Sequence, residues 1–217
     1  MGERIIDYPE AETLANDDYV LLDGDTEGSR CILASALGQG RKAIASTAQQ
    51  WLILPFYSDD NPIIKFKMMQ PYQIHFGLII GDIWDVSGFV WYSDVNNGYN
   101  DFRWGSGNDD LYHIPKELWK WVDVEINYGT SEVIVDGTDY TTQTPKTQNH
   151  SPIYMFGFTN TNNSCIAIAE LEVYVNDALA MKLEPRKDST TGEGYFYDTV
   201  GEQDYYSLSN TPFVYVE

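Results

Sequence analysis

Cysteine, histidine and basic residues are scarce in this 217-residue chain. It contains two cysteines, three histidines and 13 lysines and arginines, against 33 aspartates and glutamates. The resulting net charge of −20 repels phosphate backbones and anionic lipid surfaces. We therefore expect no nucleic-acid partner and no membrane docking, and we expect the charge to keep the fold soluble.

Long apolar runs and targeting signals are also missing. No apolar run approaches the ~20 residues of a membrane-spanning helix, and residues 1–10 lack the basic and apolar regions of a signal peptide. Cys31 and Cys165 each lie in an apolar, strand-like run. Free cysteine in such a run usually behaves as a small buried hydrophobe, although the sequence leaves a disulfide open.

The strongest pattern present is the segment 121–137. Residues 121–127 alternate apolar and polar side chains, which is typical of a strand with one buried and one exposed face. Residues 128–131 have turn chemistry, and residues 132–135 form a second β-rich run. Asp136-Gly137 is a favoured hairpin-turn dipeptide. The segment predicts an antiparallel meander.

Similar β-rich runs recur downstream of residue 50, with few helical signals. The sequence therefore predicts an all-β fold, a two-sheet antiparallel jelly-roll sandwich over residues 51–217. Further strands are expected at residues 51–56, 62–69, 72–80, 153–158, 166–175 and 178–184.

Residues 1–50 have a different character. Two short strands, at 19–22 and 30–33, flank a turn at 23–28 and predict a hairpin. A hairpin of this size is marginal in water, so it must pack on the main domain, on copies of itself or on a partner. Residues 37–50 are rich in Gly, Ala and Gln and predict a linker or a short helix.

Residues 51–217 resemble a known family. A tryptophan-led strand at 121–126, followed by a strand at 133–137 that ends in Asp-Gly, is similar to laminin-G-like, concanavalin A-like jelly rolls. Three later runs, at 154–157, 168–174 and 194–200, resemble the C-terminal pattern of such domains in bacteriophage and gut-bacterial surface proteins. The resemblance implies a lectin-like jelly roll.

Residues 13–37 resemble the N-terminal segments of phage tail-fibre and virion-appendage proteins, which fasten the appendage to the particle. The resemblance implies a structural protein of the virion, with residues 1–50 as the segment that docks to other virion proteins. It assigns docking contacts to Tyr19, Leu21, Arg30 and Ile32. We also expect a homo-oligomer, because assemblies commonly use symmetry.

Aromatic residues are concentrated between positions 84 and 104, and sugar rings stack on exposed aromatics. Trp84 and Trp91 lie in apolar runs and are expected in the core. Tyr99 and Trp104, flanked by polar residues and by Arg103, are the predicted glycan contacts. Arg103 is suited to stack on a sugar or to pair with an acidic one.

Oxygen-bearing side chains crowd the same region. Asp94, Asn96 and Asp101 are candidate ligands for calcium, which prefers hard oxygen donors. The spacing does not match an EF-hand loop, and a plain turn cluster of Asn, Asp and Gly is the favoured interpretation. No other cofactor is indicated.

Catalytic motifs are not apparent. Retaining glycosidases place two carboxylates about 5 Å apart, and Glu170 and Glu172 share one strand face, but a solvated face explains them more simply. We expect no enzyme activity.

The favoured function is a phage structural protein that presents a jelly roll to host glycans. The alternatives are a carbohydrate-binding module of a bacterial surface protein and, less favoured, a glycoside hydrolase.

Overall fold

The computed structural model describes the chain in segments. They are residues 19–21, 32–34, 41–47, 49–70, 77–82, 89–93, 99–104, 111–115, 118, 120–140, 148, 150–158 and 164–217. Within them the regular structure is β-strand, with one 3-10 turn at Ser58–Asp60 and no α-helix. None of these segments contains a helix long and apolar enough to cross a membrane.

The strands are named here in chain order. They are β1 (Tyr19–Leu21), β2 (Ile32–Ala34), β3 (Ala43–Ala45), β4 (Leu52–Tyr57), β5 (Ile63–Met69), β6 (Gly77–Gly81), β7 (Phe89–Ser93), β8 (Tyr99–Trp104), β9 (Leu111–Pro115), β10 (Trp121–Asn127), β11 (Glu132–Val135), β12 (Thr138–Asp139), β13 (Pro152–Met155), β14 (Ala167–Val175), β15 (Ala178–Lys187), β16 (Gly194–Asp198), β17 (Gln203–Tyr205) and β18 (Val214–Val216).

Two large sheets form the sandwich. The larger sheet has the order β12-β11-β10-β5-β14-β15-β16-β17, and β3 joins it by pairing with both β14 and β18. The smaller sheet has the order β4-β13-β6-β7-β8-β9. Within the described residues, all strand pairings of these two sheets are antiparallel. The predicted two-sheet antiparallel sandwich is therefore confirmed.

The segment 121–137 folds as its alternation predicts. Val124 and Ile126 are buried, while their neighbours on the other face are more exposed. Val124 pairs with Val135, and Asn127 pairs with Glu132. The side chain of Asn127 accepts hydrogen bonds from the backbone N–H groups of the following turn. Asp136 and Gly137 both have positive φ, as the hairpin turn requires.

The hydrophobic core lies between the two sheets and is rich in aromatic rings. Phe66 of the larger sheet and Trp91 of the smaller sheet approach with ring centroids 6.3 Å apart. Trp91, expected in the core, is 0% exposed, and this prediction is confirmed. Trp84 lies outside the described residues.

Tyr128 is the most unusual member of this core, because a polar hydroxyl is buried with its ring. The ring packs edge-on against Phe89 and Trp104, with centroids 5.6 and 5.4 Å away. Burial, followed by the negative charge of Asp82, raises the pKa of Tyr128 well above its ordinary value. Its hydroxyl makes no hydrogen bond with any described residue.

Strand β3 corrects the prediction for residues 37–50. Ala43–Ala45 forms neither a linker nor a helix, and Ala45 pairs with both Ala167 of β14 and Val214 of β18. A three-residue strand gives no periodicity that sequence patterns can detect. The larger sheet therefore includes residues that lie before the predicted boundary at residue 51.

Cys165 is buried as expected, and of the two states that the sequence left open it has the disulfide. Its side chain is 1% exposed and disulfide-bonded.

At the N-terminus, β1 and β2 pair antiparallel, with Val20 opposite Leu33. The docking residues Tyr19, Leu21 and Ile32 are described only by this backbone pairing, and Arg30 lies outside the described residues.

Candidate functional site

Strand β8 carries the predicted glycan contacts, and its alternation separates them. Phe102 and Trp104 point into the core between the sheets, where they are 0% and 1% exposed. Tyr99, Asp101 and Arg103 have the opposite parity and lie on the outer face of the smaller sheet. Tyr99 is 41% exposed.

The prediction that Trp104 is a surface contact is therefore wrong. Its ring centroid lies 4.3 Å from that of Phe89 and 5.4 Å from that of Tyr128. Arg103, the polar residue before it, lies on the other face because side chains alternate along a strand. Trp104 stabilises the sandwich and is not available to a ligand.

A histidine that the sequence did not mark as a glycan contact lies beside Tyr99. His113 of β9 lies directly across from Asp101 of β8. Its Nδ1 atom is 2.7 Å from the Asp101 carboxylate, which is itself 4% exposed. The Tyr99 ring leans against the imidazole, with centroids 5.5 Å apart. The buried carboxylate thus fixes the orientation of an exposed imidazole.

We call Tyr99, Asp101, Arg103 and His113 the Tyr99 face. Its chemistry suits a sugar: an aromatic ring for stacking, an imidazole and a guanidinium as hydrogen-bond donors, and a carboxylate that holds the imidazole in place. Arg103 is half-buried and pairs across the sheet with Val90 and Leu111.

The calcium prediction has little support in the part of the chain that the structure covers. Asp94 and Asn96 lie outside the described residues. The carboxylate of Asp101 is paired with His113. Among the described residues, no three His, Cys, Asp or Glu side chains group as metal ligands would.

A groove on the outer face of the larger sheet is the second candidate. It has a volume of about 390 Å³. Three strands contribute its charged residues, which are Lys65, Lys67, Asp123, Glu125, Glu170 and Glu172. We call it the charged groove.

Ion pairs between neighbouring strands connect the walls of the charged groove. Lys67 lies 2.7 Å from Asp123, and Lys65 lies 2.9 Å from Glu125. The Lys182 Nζ atom lies 2.8 Å from the Glu172 carboxylate. Pairs of this kind across a sheet each contribute roughly 0.2–1 kcal/mol, so the groove has a structural explanation.

The protonation of Glu172 limits what the charged groove can do. Hydrogen bonds donated by Lys182 and by the Tyr174 hydroxyl, in that order, lower the pKa of Glu172. Glu172 is therefore ionised near neutral pH. A glycosidase needs one carboxylic acid that stays protonated as a general acid, and Glu172 does not fit that role.

Comparisons with known proteins assign no family to the chain. No protein-family model matches it, and no curated protein matches it by sequence.

Proposed function

We propose that this chain is a structural protein of a bacteriophage particle, and that its sandwich presents a lectin-like face to glycans of the host surface. The antiparallel two-sheet fold supports the lectin-like part. The resemblance of residues 13–37 to virion-docking segments supports the proposal that the protein is part of a phage particle. The protein would then be located in the virion and contact other virion proteins through its N-terminal residues.

The Tyr99 face carries the glycan part of the proposal. Tyr99 is an exposed aromatic residue on a strand, and the imidazole of His113 lies beside its ring. Rigid strands hold such a constellation better than loops do. The half-buried Arg103 favours a sugar that carries a carboxylate or a dense set of hydroxyls.

A single small face of this kind binds weakly, and repetition compensates for it. Copies arranged on a particle convert later binding events into intramolecular ones, which raises avidity by roughly 10²–10⁴ without new contacts. A homo-oligomer would already place several copies of the Tyr99 face in one appendage.

The second candidate function is a carbohydrate-binding module of a bacterial surface protein. It would use the same Tyr99 face, so glycan binding alone does not separate the two. Mass spectrometry of purified particles does: the chain should be a stoichiometric component of the particle, and its consistent absence from particles would favour the module.

A glycan array tests the binding proposal. The wild-type protein should retain at least one glycan class, and Tyr99→Ala should abolish that signal because the stacking surface is removed. Tyr206→Ala is the matched control, because Tyr206 is also a tyrosine, 42% exposed, but follows β17 of the larger sheet. No signal for the wild type, or equal losses in both variants, would refute the assignment.

A further inference from the structure

The two large sheets end in edge strands, and the outward backbone N–H and C=O groups of an edge strand are a template for another strand. Among the described residues, the smaller sheet ends at β4 and β9. The larger sheet ends at β12 and β17, and β18 forms a further edge because it pairs only with β3. Proteins protect such edges with short strands, charges, prolines or bulges.

Four of these five edges carry such a protection. Strands β12, β17 and β18 have only two or three residues, and Asp139 of β12 and Asp204 of β17 add a charge. Strand β4 is longer, but it contains Pro55, and a bulge interrupts its pairing with β13. None of the four offers a second strand a long and regular template.

Strand β9 has none of these devices. Its five residues contain no aspartate, glutamate, lysine or arginine, and its one proline, Pro115, is the last residue. It pairs with β8 in an unbroken register, and no described strand pairs with its other side. His113 and Pro115 are exposed. The outer edge of β9 is therefore a regular template for another strand.

Charge favours the edge of β9 as the place where two copies of the chain meet. A net charge of −20 makes copies of the chain repel each other. Strand β9 brings no carboxylate to a contact. The carboxylate beside it on β8, that of Asp101, is 4% exposed and is paired with His113. Two copies that meet at β9 therefore bring few like charges together.

We propose that β9 pairs antiparallel with β9 of a second copy, so that two smaller sheets become one continuous sheet. A pairing that uses all five residues is centred on residue 113 and has twofold symmetry, in which both copies contribute the same surface. On the core side, Ile114 then lies opposite Tyr112 of the second copy, and both residues belong to or pack against the apolar core. On the outer side, His113 lies opposite His113 of the second copy.

The pairing sets the arrangement of the two Tyr99 faces. The twofold axis of a symmetric antiparallel pair is perpendicular to the sheet, so both Tyr99 faces lie on the same side of the joined sheet, next to each other. The inference deepens the proposed function and rests on its homo-oligomer, because two adjacent faces bind a repeating glycan with avidity. The dimer is measured without any glycan, so the dimer and the glycan binding fail separately.

Sedimentation velocity of the full-length protein tests the interface. A five-residue strand pair belongs to the small interfaces, below about 1,200 Å², that associate weakly, so the protein is measured from about 1 μM to about 1 mM. The wild type should change from monomer to dimer over this range. His113→Lys should raise the dissociation constant at least about fivefold, because it places like charges directly opposite each other across the strand pair.

His150→Lys is the matched control. His150 is also an exposed histidine whose Nδ1 atom lies 2.9 Å from a carboxylate, that of Asp59, but it precedes β13, next to the opposite edge of the sheet. This variant should dimerise like the wild type. A wild type that stays monomeric at every concentration, or an equal loss in His150→Lys, would overturn the interface.

A mixture of two variants tests the register. His113→Glu alone should dimerise as poorly as His113→Lys, whereas the mixture should form a heterodimer at least as tight as the wild-type dimer, because opposite charges then face each other. A mixture that associates no better than either variant alone would overturn the pairing centred on residue 113. If His113→Glu does not fold, the comparison of His113→Lys with His150→Lys decides.

Discussion

Replacing Trp104 with alanine tests whether this residue stabilises the core or contacts a ligand. Trp104 is 1% exposed and packs on Phe89 and Tyr128. A buried aromatic of this class covers roughly 150–250 Å², which at about 25 cal/mol per Å² amounts to roughly 4–6 kcal/mol. Part of this is retained by the alanine, and measured Trp→Ala changes in cores cost about 3–5 kcal/mol. We expect Trp104→Ala to lower the free energy of unfolding by that amount.

Urea unfolding followed by far-UV circular dichroism measures this loss. Tyr99→Ala is the control, because it changes an exposed aromatic in the same strand and should alter stability by only about 0.5 kcal/mol. A loss below about 1 kcal/mol for Trp104→Ala would refute the placement of this ring in the core. A loss of glycan binding in Trp104→Ala would then have to be attributed to direct contact.

Three further predictions concern other buried or paired groups. Tyr128→Phe should leave the melting temperature unchanged or raise it slightly, because the hydroxyl that it removes has no hydrogen-bond partner among the described residues; a clear drop would reveal one. The denatured, non-reduced protein should show no free thiol in a thiol-titration assay, because Cys165 is disulfide-bonded and the chain has two cysteines; two free thiols per chain would contradict this. Because the pKa of Glu172 is lowered from 4.5 in the folded state, its stabilising effect is present above that value and is lost as the pH falls through the lower folded value. Urea unfolding at several pH values measures the difference in unfolding free energy between the wild type and Glu172→Gln. This difference should shrink below pH 4.5. A difference that stays constant with pH would contradict the pairing with Lys182.

The sandwich could be predicted from sequence because its strands alternate regularly. Strands β10 and β11 alternate buried and less buried residues along the sequence, and the turn at 128–131 joins them so that Asn127 pairs with Glu132. Strand β14 shows the same alternation over residues 170–174. Long alternating runs identify both the element and the face that it buries.

The site was only partly predictable, because local polarity and strand parity conflict. Trp104 has polar neighbours in sequence, yet it shares parity with Phe102 and is buried with it. Attention to that parity would have assigned it to the core. The pairing of Asp101 with His113 depends on the register of β8 and β9, and no feature of either residue alone indicates it.

Strand β3 could not be predicted at all. Three residues, Ala43–Ala45, give no period, and alanine is common in helices, strands and linkers alike. Their burial comes from strands that are distant in sequence, β14 and β18. Only tertiary pairing distinguishes such a segment from a linker.

The Tyr99 face is the central claim, and a heteronuclear NMR titration with a glycan retained on the array tests it most directly. The account predicts that the backbone signals that shift belong to β7, β8 and β9, around Tyr99 and His113. Shifts that concentrate instead on β5, β10 and β14, around the charged groove, would contradict it.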